Sequence, residues 1–407
     1  MHLLIGPSNA GKSTWIERHH TGEVGFAYQF AKKSRFGKSG LPARGSLLHY
    51  NLLYLAGTRQ KAGKTLEEWD VLDDPFLKSC LKSGRAEKAT VIVAPLDQLK
   101  TRAAKRTVSE NRVEGSDDYQ PDVWLAILER VNLFAMYQRL FDALEQYKVP
   151  FQVLFNSDDN ADDMPATDRC YVHAALRGTY VPVPDDAQIE AACALPEAEY
   201  QSVLLPGGRQ TSGQYTHTKG TRRQSFEIFR DGSLTDRSVL DIGCAMGDML
   251  FWYERFGATR MTGVDIREKR LHAAQTFGAL LQSKAEFIYG NFLERDDIEM
   301  HDDVLALNVL HHVSDIRGFL ARASELAKKR VIIEYPTLYD KKFLRLGRIP
   351  RGLNDYALIG VSTLEVDQTF VFSDAALIRM MSECGDFDVD IRKSPMKRRR
   401  IAVFTRT

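Results

Sequence analysis

The sequence predicts an α/β protein built from two domains, each a doubly wound parallel sheet with helices on its faces. Three observations predict it. Strand-like apolar runs alternate with helix-like stretches through both halves of the chain. Two Gly-rich turns, "IGPSNAGKST" (5–14) and "LDIGCAMGD" (240–248), each follow a hydrophobic run and open onto a helical pattern. At 407 residues the chain is longer than one hydrophobic core usually organises.

In the first half, residues 2–5, 24–30, 47–55, 90–94 and 151–155 read as strands. Between the last two, residues 121–150 carry apolar side chains at helical spacing, and Pro150 marks the return to a strand. The texture then becomes acidic and turn-rich, as in "VPVPDDAQ" and "LPGGRQTSG". The expected layout is a first domain at 1–160, a connecting segment at 161–211 and a second domain at 212–407. In that second domain, residues 238–242, 261–265, 286–289, 304–307 and 330–334 read as strands, with helices near 247–256, 268–282 and 315–328. "FVFSDAALIRMMSECG" reads as a helix and the tail "KRRRIAVFTRT" as a last strand.

Composition is that of a globular chain, 44% hydrophobic and 27% charged, and the net charge of +1 gives no global attraction to nucleic acid or membrane. No apolar run reaches the roughly 18 residues of a spanning helix. The N-terminal apolar stretch is too short for a signal peptide. The five cysteines are scattered without paired spacing, which argues against a zinc site or disulfide framework and for a cytoplasmic location.

The first turn fits G-x-x-x-x-G-K-[ST] without mismatch. Glycines let backbone N–H groups curl around phosphate oxygens, a lysine supplies charge to the terminal phosphates, and a hydroxyl ligates Mg²⁺. The residues expected to hold ATP are therefore Gly6, Asn9, Ala10, Gly11, Lys12, Ser13 and Thr14, with Ser13 on Mg²⁺ and Lys12 also serving catalysis. No strand ends in the aspartate that usually holds the magnesium. Asn51 stands near that place, Asp70, Asp73 and Asp74 are alternative carboxylates, and the catalytic base is unassigned. The Lys-rich stretch 31–45 reads equally as an anion-binding loop and as a solvated one.

From these residues, the stretch 1–158 resembles the P-loop nucleotide and small-molecule kinases. In "VIVAPLDQLKTRAAKR" (91–106) a strand, a proline and a basic helix succeed one another as in the lid of that family. The resemblance implies that Arg102 and Arg106 close over the transferring phosphoryl group. The alternative is a solvated helix face.

The second turn has the spacing D-x-G-x-x-x-G and no lysine, so it is not built for a triphosphate. Asp265 follows Asp241 by 24 residues, where the next strand of a doubly wound unit ends and a carboxylate can accept both ribose hydroxyls. The stretch 212–407 resembles the class I S-adenosylmethionine-dependent methyltransferases, Rossmann-like enzymes. The resemblance implies that Gly243, Cys244 and Gly247 border the methionine part of the cofactor and that Asp241 sits near its amino group. Asp265 and Ile266 would bind the ribose side, and Asn291 and Phe292 the adenine, Asn291 replacing the family's usual aspartate. In "DDVLALNVLHHVSD", Asn308, His311 and His312 would lie just past the fourth strand. His311 or His312 is a candidate base, against the reading of one packed ring and one solvated ring, and Glu334 is another candidate. Cys244 reads as a small buried filler rather than a nucleophile. A dinucleotide site is the alternative, but the middle glycine of G-x-G-x-x-G is missing.

Within that group, the stretch opening "SGQYTHTKGTRRQSFEIF" resembles the tRNA uridine carboxymethyltransferase-like branch, which implies that Tyr215, His217, Arg222 and Arg223 fold over cofactor or acceptor. The basic run in 391–404 reads as a strand edge with outward charges or as an anion-binding patch. The combined expectation is a bifunctional kinase and methyltransferase acting on the same or a related acceptor, a glycan end, small metabolite or nucleic-acid end, with S-adenosylmethionine, ATP and Mg²⁺ as cofactors. Two alternatives stand beside it. In one, the P-loop half binds or hydrolyses ATP and regulates the methyltransferase. In the other, the chain modifies tRNA, gripped through Lys38, Arg44 and the 397–400 cluster. No membrane span is expected, and the oligomeric state is not legible.

Overall fold

Five hydrophobic runs of the first half line up as parallel strands: β1 (His2–Gly6), β2 (Val24–Phe26), β3 (Leu47–Asn51), β4 (Lys88–Val93) and β5 (Phe151–Phe155). A short antiparallel β6 (Ala166–Thr167) completes a sheet in the order β2-β3-β1-β4-β5-β6. Leu3, Leu4, Ile5, Val91 and Ile92 are fully buried in the central strands. Such uninterrupted apolar runs are what strands covered on both faces require. In this computed structural model the described residues are 1–27, 41–53, 70–105, 121–160, 163–213, 221–231, 234–340, 352–362 and 370–407. They form two units, Met1–Pro184 and Asp185–Thr407.

The long helical stretch divides into Pro121–Arg130 and Leu133–Gln146. Asn132 makes the break, its side-chain oxygen accepting from Ala135 N at 3.0 Å as the cap of the second helix. The expected connecting segment at 161–211 does not stand apart. β6 pairs with β5, and Val172, Ala175 and Leu176 join the core of the first unit. From Asp185 onward the chain belongs to the second unit. Turn-rich composition concealed this, because single buried apolar residues between turns leave no periodic pattern.

The second unit holds β7 (Ser238–Ile242), β8 (Arg260–Asp265), β9 (Glu286–Tyr289), β10 (His301–Leu307), β11 (Ala327–Pro336), β14 (Phe387–Lys393) and β15 (Arg399–Arg406). Their order is β14-β15-β11-β10-β7-β8-β9. β15 runs antiparallel to both neighbours and the other pairings are parallel. The strand order reverses at β7, between β10 and β8, so a crevice opens there beyond the carboxyl ends of the strands. A separate ribbon pairs β12 (Ile359–Val361) with β13 (Phe370–Phe372). The helix expected from residue 370 therefore starts only at Asp374, capped by Ser373 Oγ on Ala376 N. Phe-Val-Phe suits a pleated strand better than a helix.

A buried ionic cluster braces the amino ends of this sheet. Asp303, fully buried, accepts from Arg330 Nε at 2.8 Å and Nη2 at 2.5 Å, from the Tyr253 hydroxyl at 3.0 Å and from Arg237 at 3.4 Å. Removing one member of such a cluster leaves buried charge uncompensated. Asp303→Ala is expected to lower unfolding free energy by about 3–5 kcal/mol, read as a shift in the denaturant midpoint. All five cysteines are free thiols. Among the described residues, no helix is long and apolar enough to cross a membrane.

Candidate functional site

At the crevice of the second unit lies a cavity of about 390 Å³. β10 contributes Leu307 and is followed by Asn308, Val309 and His312; β7 contributes Asp241 and is followed by Gly243, Cys244 and Ala245; β8 contributes Asp265 and is followed by Ile266, Arg267 and Arg270. This volume lies within the range of about 300–1,000 Å³ usual for ligand sites. The expected cofactor residues Asp241, Gly243, Cys244, Asp265, Ile266 and Asn308 are thus brought together.

Local geometry shapes the cavity. Gly243 has φ +71°, and a Cβ there would fall 2.4 Å from Val309 Cγ2. Only glycine supplies both that conformation and that clearance. Asp265 is held from both sides: Oδ2 accepts from Ala245 N at 2.9 Å and Oδ1 from Arg267 N at 2.8 Å. Its oxygens keep further lone pairs for a ligand, and a carboxylate bound by backbone N–H groups is pre-oriented. Asp241 is buried, and loss of hydration pushes its carboxyl up to about 7, with Arg222 opposing and the charges of Asp265 and Asp248 adding to the rise. Asp248, also buried, is pushed up to about 6, again chiefly by burial. The Cys244 thiol is driven well above its usual value by burial, so it is a filler and no thiolate nucleophile.

The structure places four further expectations as follows. Glu334 is fully buried and takes hydrogen bonds from Arg222 (3.3 Å), Ser225 (3.3 Å), Asn308 and Ser394. A carboxylate so enclosed is a structural hub, not an accessible base. His311 is 2% exposed, while His312 lines the cavity and is exposed, the two rings lying 4.0 Å apart. Of the pair, His312 alone faces the cavity. Asn291 caps the short turn Phe292–Glu294 by accepting from Leu293 N and donates to Glu294, and Phe292 is buried against Phe319. Neither is among the residues lining the cavity, although Gly290 N, next to Asn291, donates to Asp265 O at 3.1 Å. Gly247 caps the helix Asp248–Arg255 and faces Phe287, outside the cavity lining.

Residues missed by the sequence reading also line the cavity: Tyr200 and Gln201, from the stretch taken as a connector, and Arg267 and Arg270. Arg222, expected to fold over, lines it too, whereas Tyr215 and His217 lie outside the described residues. Arg223 stacks instead on Trp252, its guanidinium 4.1 Å from the ring centre. Asn308 is held at φ +64°, an uncommon conformation for a residue with a side chain, by its backbone bond to Glu334 O and by contacts with Glu334 and Arg399. In the tail's basic run, Arg399 bonds Asn308 and Arg400 pairs with Asp374, while Arg392, paired with Asp390, Lys393 and Lys397 are exposed.

In the first unit, the Gly6–Ser13 loop joins β1 to the helix Lys12–His19. Gly11 opens that helix at φ +94°, with Asn156 pressed against it, and Asn156 Nδ2 donates to Ala10 O at 2.7 Å. Lys12 is buried and donates from Nζ to the carbonyls of Gly6 (2.8 Å) and Pro7 (2.6 Å). Ser13 is exposed, Thr14 partly buried, and Asn9 takes φ +66°. Arg102 is no free lid residue: it donates to Asn9 O at 3.1 Å and pairs with Asp158 at 2.6 Å. Arg106, Lys38 and residues 31–40 lie outside the described residues. Asn51 bonds Ser8 Oγ at 2.8 Å, beside the loop as expected. Asp74 caps the helix Pro75–Lys82 and accepts from the Tyr50 hydroxyl at 2.6 Å, while Asp70 and Asp73 cap a short turn. All three carboxylates take part in capping, and Asp70 also pairs with Arg139 at 3.3 Å.

Residues 240–333 match a family model described as a methyltransferase domain. A ubiquinone biosynthesis O-methyltransferase of Rhodopseudomonas palustris (strain BisB18) is 30% identical over 105 residues, 26% of this chain and 41% of that one. Its counterpart from Azorhizobium caulinodans is 36% identical over 101 residues, 25% and 40% of the two chains. The chain thus spans about two-fifths of the length of these relatives. A magnesium protoporphyrin IX methyltransferase from Synechocystis PCC 6803, solved with bound SAH, is 18% identical at TM-score 0.36, covering 47% of this chain and 84% of that one. Residues 240–333 of the second unit thus carry a methyltransferase domain, set on a sheet of Rossmann-like strand order.

Proposed function

We propose that the second unit transfers a methyl group from S-adenosylmethionine to an oxygen acceptor, and that the first unit binds ATP with Mg²⁺ at the 6–13 loop and phosphorylates the same or a related acceptor. The observation that carries the methyltransferase reading is the cavity at the strand-order reversal, with Asp265 pre-oriented by Ala245 and Arg267 and with Gly243 clearing room beside it. Its residues fit the cofactor: a carboxylate for the ribose and a second carboxylate, Asp241, for a cationic amino group. When bound, S-adenosylmethionine supplies a methyl group on a positively charged sulfur. The chain's part is to orient acceptor and donor in line and to accept the acceptor's proton, a role we give to His312 at the rim. Glu334 acts by holding Arg222 and Asn308. The choice of oxygen follows the O-methyl transfer named for the relatives.

Asp241 supplies a pH test. Its ordinary value is 3.8 and its value in the fold about 7. Between those values the folded chain holds a proton that the unfolded chain has lost. Stability therefore falls as pH rises from 4 to 7, and above 7 the fold carries the charge at full cost. Asp241→Asn is expected to unfold at the wild-type temperature at pH 4 and above it at pH 8, the gain being on the order of 4 kcal/mol. The same variant is expected to bind S-adenosylmethionine more weakly. Thermal melts and calorimetry across that range check both.

For the first unit, the P-loop geometry supports nucleotide binding. One finding favours the narrower reading, ATP binding that regulates rather than transfers: Asp70, Asp73 and Asp74 are committed to capping. Against the tRNA reading stands the engagement of Arg399 by Asn308 and of Arg400 by Asp374, while Arg44 and Lys397 are exposed. The decisive assay offers the full chain γ-labelled ATP or methyl-labelled S-adenosylmethionine with cell extract. The proposal expects label from each donor in the same or a related acceptor. ADP release without transfer of phosphorus label selects the regulatory reading, and no transfer of methyl label from S-adenosylmethionine overturns the methyltransferase reading.

A further inference from the structure

The strand order sets out the cavity along a line. Asn308 and His312 stand at the end of β10, Asp241 and Gly243 at the end of β7, and Asp265 at the end of β8, successive strands being about 4.8 Å apart. If Asp241 serves the methionine end and Asp265 the ribose, the base must extend past β8, away from β10. Asn291 follows β9, the strand beyond β8, but is not among the residues lining the cavity. The lining includes Tyr200, whose ring lies under the Arg270 guanidinium at 3.5 Å from its centre, and the 64% exposed Ile266.

Tyr200 comes from a segment outside residues 240–333, and that segment is bonded firmly to the methyltransferase domain. Met246 N, in the Gly-rich turn, donates to Gln201 Oε1 at 3.3 Å, and Arg255 Nη2 donates to Leu204 O at 2.8 Å. Thr211 Oγ1 ties the segment to itself, accepting from Val203 N at 2.8 Å and donating to Gln201 O. Gln201 and Thr211 are buried. The wall is therefore held in place before any ligand arrives.

We infer that the Tyr200–Arg270 pair is a purine-stacking wall for the base of the methyl donor, with Gln201 fixing it to the Gly-rich turn. Every purine presents a flat π face, and a tyrosine ring backed by a guanidinium offers a flat, polarisable and electropositive partner. The wall binds by stacking and leaves the base edge to the backbone. This inference rests on the cofactor reading of the cavity.

The test titrates S-adenosylhomocysteine, and separately adenosine, into the full chain by calorimetry. Tyr200→Ala is expected to weaken both ligands by about tenfold or more, and Tyr200→Phe to keep wild-type affinity. Arg270→Ala, which leaves the buried segment intact, is expected to weaken both by a smaller factor and guards against misfolding of the alanine variant at 200. Unchanged affinity in Tyr200→Ala and Arg270→Ala, with affinity lost in Asp265→Ala, overturns the wall and leaves the cofactor reading standing. Unchanged affinity in Asp265→Ala as well overturns both.

Discussion

Asp265→Ala is expected to weaken S-adenosylmethionine binding at least 100-fold in calorimetric titration. The side chain is 6% exposed, and each oxygen already accepts one backbone N–H, from Ala245 and Arg267. Each oxygen retains acceptor capacity for one ribose hydroxyl. Hydrogen bonds to a charged group contribute about 1.5–3 kcal/mol each, so two correspond to roughly 3–6 kcal/mol, or two to four powers of ten in affinity. The alanine variant also frees two loop N–H groups, which adds to the loss by loosening the Gly-rich turn. Asp265→Asn separates these parts. Its amide oxygen still accepts one backbone bond while the charge is gone, so its affinity should fall between the other two. Wild-type affinity in both variants would show that the cavity binds its ligand in another way.

Lys12→Ala is expected to reduce ATP binding by at least 100-fold while S-adenosylmethionine binding stays at the wild-type level. Lys12 Nζ rests on the carbonyls of Gly6 and Pro7, within the curve of its own loop. A point charge held at the centre of a ring of backbone N–H groups is what β- and γ-phosphates meet. Removing it leaves the backbone cradle but no cation. The loop remains pinned from outside by Asn156 on Ala10, Asn51 on Ser8 and Arg102 on Asn9, so folding should survive, as a melting curve will show. Fluorescent nucleotide titration in the same sample as methyl-donor calorimetry reads both ligands at once. Loss of both would contradict two separate pockets. Retained ATP binding would remove the P-loop assignment.

Much of the sheet was legible because strand formation and Gly-rich turns are local. β7 and β9 match their expected spans, and β8, β10 and β11 extend theirs by a few residues at the ends. Asp241 and Asp265 were legible for the same reason, since a strand-turn-helix-strand unit has a nearly constant length. β14 was missed: its apolar residues Val389 and Ile391 alternate with charges and cover only one face at a sheet edge. The short ribbon of β12 and β13 was missed because three residues show no period.

The sequence alone determined the two Gly-rich turns, the strands that carry them and, in the second unit, the acids Asp241 and Asp265, all set by backbone sterics and patterns a few residues long. Tertiary structure decided which polar groups meet solvent. Glu334 became a buried hub only because Ser225, Asn308 and Ser394 arrive from distant parts of the chain. Tyr200 reached the cavity only because Gln201 and Leu204 bond to residues about fifty positions away. A side chain's role follows from its hydration and its partners, and both are properties of the packed chain rather than of its local sequence.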